Sequence, residues 1–138
     1  MSPRAGMRAA FAAIAVAFAI AVTGCGSSSK PAYCSDRGDL EQSVKDLGNV
    51  DLKTGGTSAL EAQLKKVESS ATKLESSAKS DFPTETAAIQ SSVSALDTAV
   101  KALPKSPTVQ ELAPIAVDVK NVANAATSFT DATKSKCD

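Results

Sequence analysis

Histidine and tryptophan are absent from the 138 residues. Without histidine the chain lacks the commonest general base and the commonest transition-metal ligand. Without tryptophan it lacks the best stacking surface for sugars and quaternary amines. Two of its few aromatics, Phe11 and Phe18, fall in an N-terminal apolar run, so Tyr33, Phe82 and Phe129 are all that remain beyond it. Serine is abundant, yet no Gly-x-Ser-x-Gly elbow accompanies it. The acidic residues Asp36, Asp39, Glu41, Asp46 and Asp51 lack the fixed alternate spacing and glycine of a calcium loop. Acidic side chains near a helix start are favoured by the helix dipole without any metal. Most carboxylates lie on polar helix faces, whereas a catalytic carboxylate usually needs burial. The expectation is a protein that is not an enzyme, with no catalytic residue, no cofactor and no metal site.

What is present begins with an apolar run from Ala9 to Val22, preceded by Arg4 and Arg8. A positive end, a short apolar centre and small residues after it are the pattern of a secretory signal. The run is shorter than the roughly 20 residues of a membrane-spanning helix, and an uncleaved anchor helix is the competing reading. The run closes on Val22-Thr23-Gly24-Cys25. That tetrad resembles a bacterial lipobox, in which an aliphatic residue, a small residue and a Gly or Ala precede the lipidated cysteine. The resemblance implies a signal peptide over residues 1–24, cleavage before Cys25 and a diacylglyceryl group on its thiol. It also implies a lipid-anchored protein on the extracytoplasmic face of the cell membrane. Two acyl chains suffice for stable anchoring where one does not, at about 0.8 kcal/mol per buried methylene. Loss of Arg4 and Arg8 leaves 13 basic residues against 15 acidic, a net charge of −2. That balance argues against nucleic acid, which needs a basic footprint. It offers anionic headgroups no attraction either, so the acyl chains carry the membrane contact.

Residues 25–32 read as a flexible Ser-rich tether. Its aperiodic part, Gly26 to Ala32, spans about 15 Å on average, which keeps the folded part, residues 33–138, close to the membrane. With Cys25 modified, Cys34 and Cys137 remain, and an even remainder in an exported protein reads as a disulfide. Two free thiols are the competing reading. A nucleophilic one would need a base, and no histidine is there to serve.

Apolar residues recur at helical steps through the rest of the chain. Leu40, Val44 and Leu47 form a short first stripe, capped by Ser35 or Asp36 and closed by Gly48-Asn49. Residues 49–56 are expected to be an extended connector that tucks Val50 and Leu52 inward. A Ser58–Glu61 capping box opens the second stripe, Leu60, Leu64, Val67, Ala71 and Leu74. The third stripe, Ile89, Val93, Leu96, Val100 and Leu103, copies the second at a fixed offset, a weak internal repeat. Ser106 as cap and Pro107 at the first position are expected to start the last helix. It carries Val109, Leu112, Ile115, Val119, Val122, Ala126 and Phe129, with a kink or restart expected at Pro114.

Four such stripes predict an all-α fold, an antiparallel up-down four-helix bundle with a short first helix and three longer ones. The steps average about 3.5 residues, which suits shallow left-handed crossings. A Cys34–Cys137 disulfide agrees with that count, because an even number of helices returns the chain to its starting end. Beyond the lipobox, the cysteine near the start, the Leu/Val heptads and the cysteine at the end resemble small helical lipoproteins of high-GC Gram-positive bacteria. The resemblance implies no particular activity. The leading expectation is a non-enzymatic interaction module for an envelope protein partner, docking through helices 2 and 3. The alternative is a carrier or sensor of an apolar small molecule, with a pocket near Pro114 and Phe129.

Overall fold

The computed structural model describes residues 30–138. The expected signal peptide, the lipobox Val22-Thr23-Gly24, the lipidation site Cys25 and the tether as far as residue 29 lie outside the described residues. Within them the fold is all-α: α1 (Tyr33–Gly48), α2 (Leu52–Ala78), α3 (Pro83–Lys101) and α4 (Val109–Cys137). No strand occurs among the described residues. α1 packs on α2 and α4, and α3 packs on the same two helices.

The stripes read from the sequence make up the core. Leu40, Val44 and Leu47 of α1 are buried, as are Leu60, Leu64, Val67, Ala71 and Leu74 of α2. α3 contributes Ile89, Val93, Leu96 and Val100, and α4 contributes Ile115, Val122, Ala126 and Phe129. Leu103 and Val119 sit at the margin. The stripes run further than the aliphatic pattern alone indicates. Thr86 precedes Ile89 by one turn, and Thr133 and Cys137 continue the line of Phe129; all three are buried. The two threonines enter because each donates its hydroxyl to the preceding turn, Thr86 to Phe82 O at 2.9 Å and Thr133 to Phe129 O at 2.9 Å. A hydroxyl bonded within its own helix avoids the cost of an unmade bond, leaving a methyl group to pack.

Three local expectations need correction. α1 starts at Tyr33, with Ala32 in the cap position and no side-chain cap bond, so neither Ser35 nor Asp36 caps it. Tyr33 is buried, and packing fixes the first turn where a cap was expected to. α4 starts after Thr108, not at Ser106-Pro107. The Thr108 hydroxyl accepts from the Glu111 amide at 3.3 Å, and the Glu111 carboxylate accepts from the Thr108 amide at 2.7 Å. That reciprocal pair satisfies two free donors, which a cap at Ser106 could not do. Of the kink or restart expected at Pro114, the restart does not occur: α4 continues as one helix through it. Pro114 is exposed and in the second turn, so only one ladder bond is lost and its ring faces solvent.

The connector also differs from its expected form. An extended stretch over 49–56 is replaced by a helical turn from Leu52, closed where the Gly55 amide donates to Asp51 O at 3.0 Å. The turn still points Val50 and Leu52 toward the core. The chain then breaks at Gly56, with φ 59° and ψ −160°, two residues before the expected Ser58 cap. Only glycine adopts that region readily. Gly55 is constrained differently, since a Cβ there would lie 2.6 Å from the Ala59 Cβ. Gly56→Ala is expected to destabilise the fold by about 1–3 kcal/mol, read as a lower urea midpoint with an unchanged slope.

Candidate functional site

The two ends of the helices differ in character. At one end Cys34, near the start of α1, stands at disulfide distance from Cys137 at the end of α4, with Cα atoms 5.4 Å apart. Tyr33, Phe82 and Phe129 meet edge to face beside them, with ring centroids 5.5, 6.2 and 5.7 Å apart. The Arg37 guanidinium donates to the Thr133 hydroxyl at 3.3 Å and to the Asp138 carboxylate at 2.9 Å. That contact holds the Asp138 carboxyl below the ordinary carboxylate range. The Lys30 ammonium donates to Cys137 O at 2.6 Å. Arg37 belongs to an Arg-Gly-Asp tripeptide, the spelling that integrins recognise, but here it is inside α1 with its guanidinium engaged. This end is filled and tied down.

The other end is open. A hollow of about 340 Å³ is lined by Leu47 and Gly48 of α1, Val50 of the connector, Leu52 and Leu60 of α2, and Leu112, Ile115, Ala116 and Val119 of α4. Every lining side chain is apolar. Along α1 it lies about 20 Å from Cys34, and along α4 its near edge is about 27 Å from Cys137, at about 1.5 Å per residue. It exists because α1 and α4 converge there on small residues. Gly48 and Ala116 leave space that larger side chains would fill. A second hollow, of about 380 Å³, continues along the α1–α4 seam and shares Gly48, Ala116 and Val119 with the first. Its further lining includes Glu41 and Lys45 of α1 and Lys120, Ala123 and Thr127 of α4. Together they form one trough, apolar at the end remote from the cysteines and charged toward its middle.

The pocket expected near Pro114 and Phe129 takes a different form. Leu112, Ile115 and Ala116, which flank Pro114, line the apolar hollow. Phe129 is fully buried in the aromatic cluster, about 22 Å further along α4. Sequence periodicity marks residues that face inward but not the gaps that small side chains leave between them, so Gly48 reads only as a helix stop and Ala116 carries no signal. Among the described residues, the large hydrophobic side chains left exposed are Val109, at 80%, and Val117, at 59%, both on α4 and neither on the expected face of α2 and α3.

Other surface hollows are polar. One between α1 and α2 is lined by Asp39, Gln42, Ser43, Lys65, Lys66, Ser69 and Ser70, and Ser43 and Ser70 share a 3.0 Å hydrogen bond there. Another lies between α2 and α3, where Glu68 faces Asp97 and Lys101. Partial burial first, and then the Asp97 carboxylate, hold the Glu68 carboxyl above its ordinary range, while Lys101 and Lys65 oppose the shift. The Asp97 carboxylate, bonded to Lys101 at 2.6 Å, raises the lysine. A carboxyl that keeps its proton more tightly when folded costs stability once pH rises through its range, and costs none when both states are protonated. Glu68→Gln is therefore expected to leave stability unchanged near about pH 3 and to raise it slightly at about pH 7, where solvent screens most of the effect, measured by urea unfolding at both values.

Among the described residues, no group of three or more metal-ligating side chains converges, and no helix is long and apolar enough to cross a membrane. No family model, curated protein or solved structure matches the chain.

Proposed function

We propose that the protein is a non-enzymatic carrier of an apolar small molecule, held at the extracytoplasmic face of the cell membrane by a diacylglyceryl group on Cys25. Its four helices work as an antiparallel up-down bundle. The contact of each helix with two neighbours and the pairing of Cys34 with Cys137 support that arrangement. The single observation that carries the function is the apolar hollow between α1, α2 and α4, at the end remote from Cys34. A volume of about 340 Å³ is within the usual range for small-molecule sites. The tether joins the folded part at its filled end, so the hollow points away from the bilayer. The non-enzymatic reading is supported by the lack of histidine and by the identity of the buried polar side chains, Ser70, Thr86 and Thr133.

The full chain in phosphatidylcholine nanodiscs tests this with a diazirine-bearing dodecanol. Photolabels are expected on Leu47–Leu60 and Leu112–Val119, and Ala116→Trp should reduce them about tenfold, equivalent to about 1.4 kcal/mol of binding. Labels scattered over all four helices, or indifferent to Ala116→Trp, reject the reading. A second reading, an interaction module for an envelope protein, is favoured by the exposure of Val109 and Val117 on α4. Under it, Val117→Lys abolishes partner capture and leaves photolabelling unchanged.

A further inference from the structure

We infer that the trough takes a single-chain amphiphile with an anionic headgroup, its chain against Leu112 and Ile115 and its head at Lys45 and Lys120. This rests on the carrier reading and adds the polarity of the ligand. The two hollows share Gly48, Ala116 and Val119, so an occupant of the apolar end meets the charged part without leaving the trough. Lys45 lies about 3 Å along α1 from Leu47, and Lys120 directly follows Val119 on α4. The lysines stand where the apolar lining stops, one on each wall.

Neither lysine takes part in the ion pairs Arg37–Asp138 and Lys101–Asp97. The one acid in the lining, Glu41, accepts a hydrogen bond from the Thr130 hydroxyl and lies one turn nearer the cysteines. An anion at the apolar boundary meets two cations before it meets that carboxylate. A lysine can lay its methylenes along a bound chain and keep its ammonium at the headgroup. Charge-assisted bonds of that kind are about twice as strong as neutral ones. The remaining hollows lack this gradient from apolar to cationic. The α1–α2 hollow sets Asp39 beside Lys65 and Lys66, and the α3–α4 hollow is lined by serines, asparagines and Asp118.

The test is competition in the same nanodiscs, with the dodecanol photoprobe displaced by dodecanoate, by dodecanol or by dodecyltrimethylammonium. Dodecanoate is expected to displace it at about a tenfold lower concentration than dodecanol, with the cationic amphiphile the weakest. Lys45→Glu with Lys120→Glu should erase the advantage of dodecanoate and leave dodecanol unaffected. Both lysines are exposed, so the double variant keeps the core, which an unchanged helical circular dichroism spectrum checks. Equal potency of dodecanoate and dodecanol, or a dodecanoate advantage that survives the double variant, overturns the anionic headgroup while the apolar carrier stands. Failure of all three to displace the probe overturns both.

Discussion

Serine at both Cys34 and Cys137 is expected to cost about 3–5 kcal/mol. The crosslink closes a separation of 103 residues, nearly the whole folded part. In the chain-entropy model a loop of about 100 residues contributes about 4.7 kcal/mol, and losing a native crosslink from a small exported domain typically costs about 2–5 kcal/mol. A domain of this size shifts its melting temperature by about 4–8 °C per kcal/mol, so a fall of roughly 15 °C or more is expected in calorimetry. Reduction of the unaltered protein should reproduce that fall. A fall of only a degree or two would mean that the helices close without the crosslink.

Phe129→Ala is the second. Phe129 is fully buried and meets both Tyr33 and Phe82 edge to face. It joins the starts of α1 and α3 to the last turns of α4, so its loss removes packing from three helices. Truncation of a buried phenylalanine costs about 3–5 kcal/mol, combining lost transfer energy with the cavity left behind. Edge-to-face contacts add about 0.5–1.5 kcal/mol each, so Phe129→Leu should recover much of the burial but not that part. Chemical denaturation of the two variants separates the contributions. A negligible loss for Phe129→Leu would mean that ring geometry contributes nothing. Because the near edge of the apolar hollow, Val119, lies about 15 Å away along α4, a folded Phe129→Leu protein should still bind the apolar part of the ligand.

The steps of four and three residues were enough to place nearly every large core side chain. Burial of an aliphatic stripe is the main driving force in these helices, and a stripe is a property of sequence order alone. Val67, Leu74, Leu96 and Val122, all fully or almost fully buried, were each legible in that way. Helix ends were less so. Tyr33 starts α1 through its packing on Phe82 and Phe129, partners that are remote in sequence. Thr108 was chosen over Ser106 by a reciprocal bond with Glu111 that depends on one backbone angle, the extended ψ of 165°. The connector shows the same limit: residues 49–56 read as extended, while the helical turn from Leu52 depends on a backbone bond from Gly55 to Asp51. The trough was the least legible feature. It is made of what Gly48 and Ala116 do not fill, and its charged half requires α1 and α4 to lie side by side. Lys45 and Lys120 look like ordinary solvated lysines until that happens.

The most direct measurement of the central claim is intact mass spectrometry of the protein extracted from native membranes, with sequencing of its N-terminal peptide. The account predicts a chain that begins at Cys25, carries a diacylglyceryl group on that sulfur and has lost two hydrogens through the Cys34–Cys137 bond. A chain that retains residues 1–24, or a Cys25 without the lipid, would contradict it.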